Sequence, residues 1–389
     1  MIDKKKYKES TLITHAGQNS SEHFGFVNTP VYRGSTVLSE NSKQFRERTS
    51  RYFYGSKSNP NTESLSEGIK LLENADGCKI TNSGRTAILL SLLSVLNTGD
   101  QLILSDNVYE PTKQIAEKFL SKMGIETVYF NPKDLGKLED KITKRTKAVF
   151  FESPGSLTFE ILDINKLVSI CSKSNLFTII DNTWATPLYF KPFKYGIDIS
   201  VHAGTKYMVG HSDVFMGAVT YNKRAQAYIE ETFDILRISS NADDAYMANR
   251  GLRTINVRMK KQFENALRVC EFLSDHKKII EILYPPFYRS RDHDLWKKYF
   301  LGGGGSLMSI IIDNENNDIE TLDKFIDGLS LFGIGASWGG YESLVMPILP
   351  KRETTKEWLK YPNSMARIHI GLEDADDLIQ DLGSSLDSL

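Results

Sequence analysis

Short apolar runs separated by helix-length segments constrain this chain more than any other feature. From Cys78 onward it reads CKIT, QLILS, ETVYF, KAVFFES and FTIID, with a polar or amphipathic stretch between each pair. Helices are predicted from Ser83 to about Leu96, from about Pro111 to Lys122, near Leu135, and from Asp163 to Ser174. Such alternation implies an α/β domain with a largely parallel sheet, because parallel neighbours need a crossover connection. Sheets of this kind bind ligands at the carboxyl ends of their strands. A long helical stretch from Ala242 to about Ser274 then leads into an α+β region: strand SLMSIII, helix Ile319 to Leu331, strand ARIHI and a helix from Asp374. Gly302 to Gly305 precede a strand without the Lys-Ser/Thr of a phosphate loop, so they read as a turn.

The region before this alternation lacks sustained periodicity. It is rich in Ser, Asn, Gly and Arg and reads as an extended arm that closes at the turn cluster SKSNPNT, Ser56 to Thr62. The expected organisation is an arm over 1–58, an α/β domain over 59–252 and a smaller α+β domain over 253–389.

Composition narrows the partners. The 389 residues are 40% hydrophobic and 25% charged, enough for a sizeable core. A net charge of −1 leaves no basic field for nucleic acid or a membrane surface, which points to small-molecule substrates. Cys78, Cys171 and Cys270 are far apart and form no CxxC, so free thiols in a reducing compartment are expected and no metal site is. The opening MIDKKKYKES lacks a signal-peptide core, and no run of 18 apolar residues occurs; a cytoplasmic protein is the expectation.

One charge stands out against this background. In SVHAGTKYMVGHSDVFMGAV, Lys206 is the sole formally charged side chain between Asp198 and Asp213, set among small and apolar residues. Asp181 ends the run FTIID, and Ser83-Gly84-Arg85 opens a helix directly after a strand. Each has an ordinary reading: a surface lysine, a helix-capping or solvated aspartate, a capped turn. Together they describe one ligand. A helix start suits a phosphate, an aspartate suits a ring nitrogen, and an amine suits an aldehyde. That combination is pyridoxal 5′-phosphate.

Longer motifs carry a resemblance. THAG, YGSKSNPNT, DNVYEPT, DNTWATPLYF, GTKYMVGHSD, RGLRT, SWGGYESL and RIHIGLEDADDLI occur in one order between Thr11 and about Leu382. The chain resembles the Cys/Met-metabolism family of fold-type I pyridoxal-phosphate enzymes, and within it the cystathionine β-lyase branch. The tryptophans of DNTW and SWGG favour that branch. The resemblance implies a large domain with a mainly parallel sheet, a smaller α+β C-terminal domain and an N-terminal arm reaching the neighbouring subunit. It implies that Lys206 forms the cofactor's Schiff base, that Asp181 holds the ring nitrogen, and that Thr183 lies near the ring. The amides of Gly84 and Arg85 and the Thr205 hydroxyl would hold the phosphate. Tyr109 would stack on the ring, and Tyr54 would enter the partner's site. Arg367 and Ser337, beside Trp338, would grip the substrate α-carboxylate, a task suited to a guanidinium fork.

Four positions depart from the family pattern. Ser56 stands where the family has a phosphate-binding arginine, with Lys57 next to it. Arg85 replaces an apolar residue, Ala203 a frequent serine, and Ala336 an aromatic residue common in β-lyases, which leaves a roomier pocket. Lys57 across the dimer or Arg85 in cis would supply the missing phosphate charge. The implied activity is β-elimination of an amino-acid thioether, L-cystathionine, to homocysteine, pyruvate and ammonia in methionine biosynthesis, by a homotetramer built from dimers. A slow alanine racemase activity is a further expectation. A γ-lyase or γ-synthase on the same scaffold, and an inactive cofactor-binding protein, are the alternatives.

Overall fold

The computed structural model describes residues 6–315 and 317–389. The larger sheet contains β1 (Gly77–Thr81), β2 (Gln101–Ser105), β3 (Glu126–Phe130), β4 (Thr146–Glu152), β5 (Phe177–Asp181), β6 (Ile199–His202) and β7 (Gly217–Tyr221). Its order is β1-β7-β6-β5-β4-β2-β3. The strands from β6 through β3 run parallel, while β7 is antiparallel to both β1 and β6. The smaller sheet, ordered β10-β11-β12-β9-β8, holds β8 (Ile279–Leu283), β9 (Leu307–Ile312), β10 (Gly333–Ile334), β11 (Leu344–Pro347) and β12 (Met365–His369).

Local chemistry places these elements. Ser83 caps the helix Gly84–Val95, its Oγ accepting from the Thr86 amide at 3.2 Å. Asn59 and Thr62 form a reciprocal capping box on the helix Pro60–Glu73, with proline in the first turn. The C-terminal residue of that helix, Glu73, is fully buried and accepts from His202 Nε2 at 2.9 Å, Asn182 Nδ2 at 2.9 Å and Ser200 Oγ at 3.0 Å. Burial pushes this carboxyl up, but His202 and the hydrogen bonds outweigh it and hold it below its ordinary value. The helix Ala242–Ser274 runs unbroken for 33 residues from its Asn241 cap, so the expected boundary at 252/253 lies within it. No helix among the described residues is long and apolar enough to cross a membrane.

Three expectations need correction. The segment after Pro111 is not one regular helix: α-helix Glu110–Gln114 passes into a wide π turn at Ile115–Phe119 and a tight turn at Leu120–Met123, ended by Gly124 at φ 75°. The arm contains local helices at Glu9–His15 and Ser42–Glu47. The helix starting at Ile319 ends at Asp327, where Gly328 follows. The glycine run is a turn with a packing reason: a Cβ on Gly304 would lie 2.3 Å from the Trp184 ring.

Candidate active site

The site lies at the carboxyl edge of the larger sheet. Asp181, the last residue of β5, pairs with Val201 of β6, and Lys206 follows β6 after the three residues Ala203, Gly204 and Thr205. Parallel pairing brings both to one edge. The turn is tight because small residues meet there: a Cβ on Gly84 would stand 2.5 Å from the Ala203 Cβ. The start of helix Gly84–Val95 therefore abuts the segment leading to Lys206. The amides of Gly84 and Arg85 have no hydrogen-bond acceptor among the described residues. Open helix N–H groups of this kind attract oxyanions.

Asp181 is braced on one oxygen. Its Oδ1 accepts from the Thr183 amide at 2.9 Å and from Thr183 Oγ1 at 2.5 Å. Thr183 Oγ1 in turn accepts from the Ala203 amide at 2.8 Å. Oδ2 has no hydrogen-bond partner among the described residues. Burial raises the Asp181 carboxyl above its ordinary value, while Thr183 and the positive charge of Lys206 pull it down. A buried carboxylate with one free oxygen fits a protonated ring nitrogen.

Lys206 Nζ donates to Ser337 Oγ at 3.0 Å and sits 5.4 Å from the centre of the Trp338 ring. Burial and the charge of Arg367 lower its pKa to about 8, against the pull of Asp181. The amine is therefore neutral over much of the mildly alkaline range, the form needed to attack an aldehyde or take a proton. Gly339, at φ 81°, lets the 337–339 segment close on the lysine: a Cβ there would fall 2.8 Å from the Tyr207 amide nitrogen. His369, kept neutral by burial with a pKa of about 3, accepts the Gly339 amide at 3.0 Å.

Arg367 is 8% exposed on β12. Its Nη2 donates to the carbonyl oxygens of Ala336, at 2.6 Å, and Ser337, at 3.2 Å. No acidic side chain pairs with it among the described residues. A buried guanidinium without a carboxylate is costly unless an anion arrives, and here its charge acts on the Lys206 amine.

Tyr109 immediately precedes the helix Glu110–Gln114, and its ring is half-exposed. Burial raises its phenol above the ordinary value; Arg85 and Arg367 oppose this, and Glu152 and Asp181 reinforce it. The structure thus gathers Lys206, Asp181, Thr183, Gly84, Arg85, Tyr109, Ser337, Trp338 and Arg367. Thr205 is adjacent, but its hydroxyl donates to the Met216 carbonyl at 3.1 Å and accepts the Met216 amide at 2.9 Å. Tyr54 lies in the arm, 46% exposed, with its backbone bridged to Thr36. Lys57 is paired with Asp234 of its own chain at 2.5 Å. Neither bonds to the cluster within one subunit. Glu152 was missed by the sequence reading, although the acid in KAVFFES closes its apolar run one residue before the end, much as Asp181 closes FTIID.

The fold and these residues define a pyridoxal-phosphate enzyme. The chain belongs to the Cys/Met metabolism PLP-dependent enzymes, whose family model matches residues 10–387. It is 35% identical to an L-alanine/L-glutamate racemase of Wolbachia pipientis, over 97% of each chain. It is 34% identical to a cystathionine β-lyase of Escherichia coli K12, over 98% of each. A crystal structure of a candidate O-acetylhomoserine (thiol)-lyase from Campylobacter jejuni, containing N′-pyridoxyl-lysine-5′-monophosphate, superposes with a TM-score of 0.90 at 27% identity, covering 98% of this chain and all of that one.

Proposed function

We propose that this enzyme is a carbon–sulfur lyase that cleaves L-cystathionine by β-elimination to homocysteine, pyruvate and ammonia. The observation that carries the reading is Arg367, a buried cation without an acid partner beside the Lys206 amine. It suits the α-carboxylate of an amino acid and would set Cα within reach of Lys206. Bound pyridoxal phosphate supplies the electron sink for charge left on Cα. Asp181 Oδ2 would hold the ring nitrogen protonated. Lys206 takes the Cα proton as general base. Ser337 orients that amine through the 3.0 Å hydrogen bond. The Cβ–S bond then breaks, and Lys206 or Tyr109 returns a proton to the leaving sulfur. Water completes the release of pyruvate and ammonia. Similarity to the E. coli cystathionine β-lyase and the tryptophans Trp184 and Trp338 support β- over γ-elimination. The assembly would be a homotetramer of dimers, with Tyr54 reaching the partner's site. Product analysis decides the reaction: homocysteine with pyruvate supports it, whereas cysteine with a four-carbon oxo acid assigns a γ-lyase.

The phosphate needs a cation or several N–H donors. Arg85 is exposed at the helix start and has no ion-pair partner among the described residues, whereas Lys57 is engaged with Asp234. Arg85 is thus the better placed of the two to replace the family's arginine at Ser56. Arg85→Ala should weaken cofactor affinity by about tenfold or more, roughly 1.4 kcal/mol, and Lys57→Ala by less. Titration of apoenzyme with pyridoxal phosphate, read by fluorescence, checks this; equal affinity in both variants and the parent means the helix start holds the phosphate unaided.

A second reading is favoured by the racemase relative. Alanine has no leaving group, so a carbanion at Cα can only regain a proton. Return from Lys206 restores the L form, and return from the other side needs a second acid. Tyr109, whose burial keeps the phenol protonated, is the candidate. L-Alanine in deuterated water should yield D-alanine at least about tenfold more slowly than cystathionine is cleaved. Cα exchange without D-alanine defeats the two-acid arrangement, and D-alanine formed undiminished by Tyr109→Phe removes Tyr109 from it.

A further inference from the structure

Two strand tips carry carboxyl groups side by side. Glu152 ends β4 and Asp181 ends β5, and the parallel register pairs them directly. Asp181 is committed to the cofactor's seat. Glu152 has no part in the chemistry set out above, yet it stands half-buried at the same edge. Its Oε2 accepts the backbone amide of Tyr109 at 2.7 Å. Tyr109 begins the helix Glu110–Gln114 and has no side-chain cap of its own; this bond ties its backbone to the tip of β4, beside the Ser156 amide that the Asn107 carbonyl accepts at 2.7 Å two residues earlier.

The surroundings decide the charge. Asp181 faces Glu152 from β5, and the Tyr109 amide faces it from the segment after β2. The cation that acts on it is Arg352, from the segment after β11. That guanidinium is already engaged by Glu160 at 3.2 Å and by the carbonyl oxygens of Asp106, at 2.7 Å, and Ser156, at 3.3 Å. Burial, then the charge of Asp181, hold the Glu152 carboxyl well above the usual range, against the Tyr109 amide and Arg352. Two like charges at neighbouring tips in a desolvated edge cannot both form cheaply.

We propose that Glu152 is a positioning residue: its neutral carboxyl group pins the backbone that carries Tyr109 to the carboxyl edge of the sheet and leaves the negative charge there to Asp181. A neutral carboxyl still accepts an amide hydrogen bond through its carbonyl oxygen, so the anchor needs no charge. The inference rests on the cofactor seat of the proposed function but not on which bond is cleaved.

The test compares holoenzymes of the parent, Glu152→Gln and Glu152→Ala. Cofactor content and thermal midpoint report folding. The pH dependence of the bound cofactor's absorbance reports charge beside Asp181. Cα-hydrogen exchange of an amino acid in deuterated water reports proton removal whatever the leaving group. Glutamine keeps the acceptor and the neutrality. Its exchange rate should stay within about threefold of the parent, and its absorbance titration should shift by less than about half a pH unit. Alanine frees the Tyr109 segment and should slow exchange by about tenfold or more, since small misplacements of reacting groups cost up to ~100-fold. A shifted titration in Glu152→Gln overturns the proposal, because it means the parent group is charged. So does equal impairment of both variants, or none in either. If Glu152→Ala does not fold, the glutamine titration still decides. Loss of cystathionine cleavage with exchange retained in the parent refutes the proposed reaction and leaves the Glu152 result readable.

Discussion

Lys206→Ala is expected to bind pyridoxal phosphate without covalent attachment and to lose turnover by about a thousandfold or more. The reason is local. Lys206 is the amine at the carboxyl edge beside Asp181, and its pKa of about 8 suits the two roles proposed for it, nucleophile and base. Alanine removes both roles at once. The cofactor's other contacts would remain: the open amides of Gly84 and Arg85, and Asp181 Oδ2. Borohydride treatment followed by peptide mass analysis is the check. Reduction should fix the cofactor's mass to the Lys206 peptide in the parent and leave no adduct in the variant. An adduct on another lysine, or unchanged turnover without added amines, removes Lys206 from the mechanism. Loss of the Ser337 hydrogen bond alone cannot mimic this result, because Ser337→Ala retains the amine.

The alternation of apolar runs and helices was legible because β2, β3 and β5 are bounded by turns at both ends and coincide with the runs QLILS, ETVYF and FTIID. β7 was not, because GAVTY follows a Gly-, Ser- and Asp-containing loop and blends with the segment around Lys206. Its antiparallel placement between β1 and β6 is a tertiary choice that periodicity does not encode. The break after Pro111 escaped notice for a similar reason: Ile115, Ala116 and Leu120 keep an apolar face while the turn widens. At the site, Asp181 and Lys206 could be read from strand ends and a conspicuous lone charge. Arg367 could not. In sequence it is a strand charge between apolar residues, and only the 336–337 carbonyl oxygens, brought from another segment, show it to be buried and without an acid. Glu152 needed the strand register, which no single run reveals.

Arg367→Ala should leave the fold and the cofactor in place but remove the seat proposed for the α-carboxylate. Truncating one partner of a buried charge pair costs about 2–5 kcal/mol, so kcat/KM for cystathionine should fall by roughly 30-fold to several thousandfold. Arg367→Lys should recover little of this, because a single ammonium cannot present the planar fork. The substitution also has a second, independent consequence. Arg367 is one of the groups that hold the Lys206 pKa down to about 8. A positive neighbour disfavours the ammonium form, so its removal lets that pKa rise toward the ordinary lysine value. The neutral amine then appears only at higher pH. The rate at which apoenzyme captures pyridoxal phosphate, followed by absorbance across pH 6 to 10, should therefore rise later in Arg367→Ala than in the parent. A shift in the acid direction contradicts the assigned charge coupling, and an unchanged kcat/KM removes Arg367 from substrate binding. The two measurements separate its roles, because cofactor capture needs no substrate carboxylate.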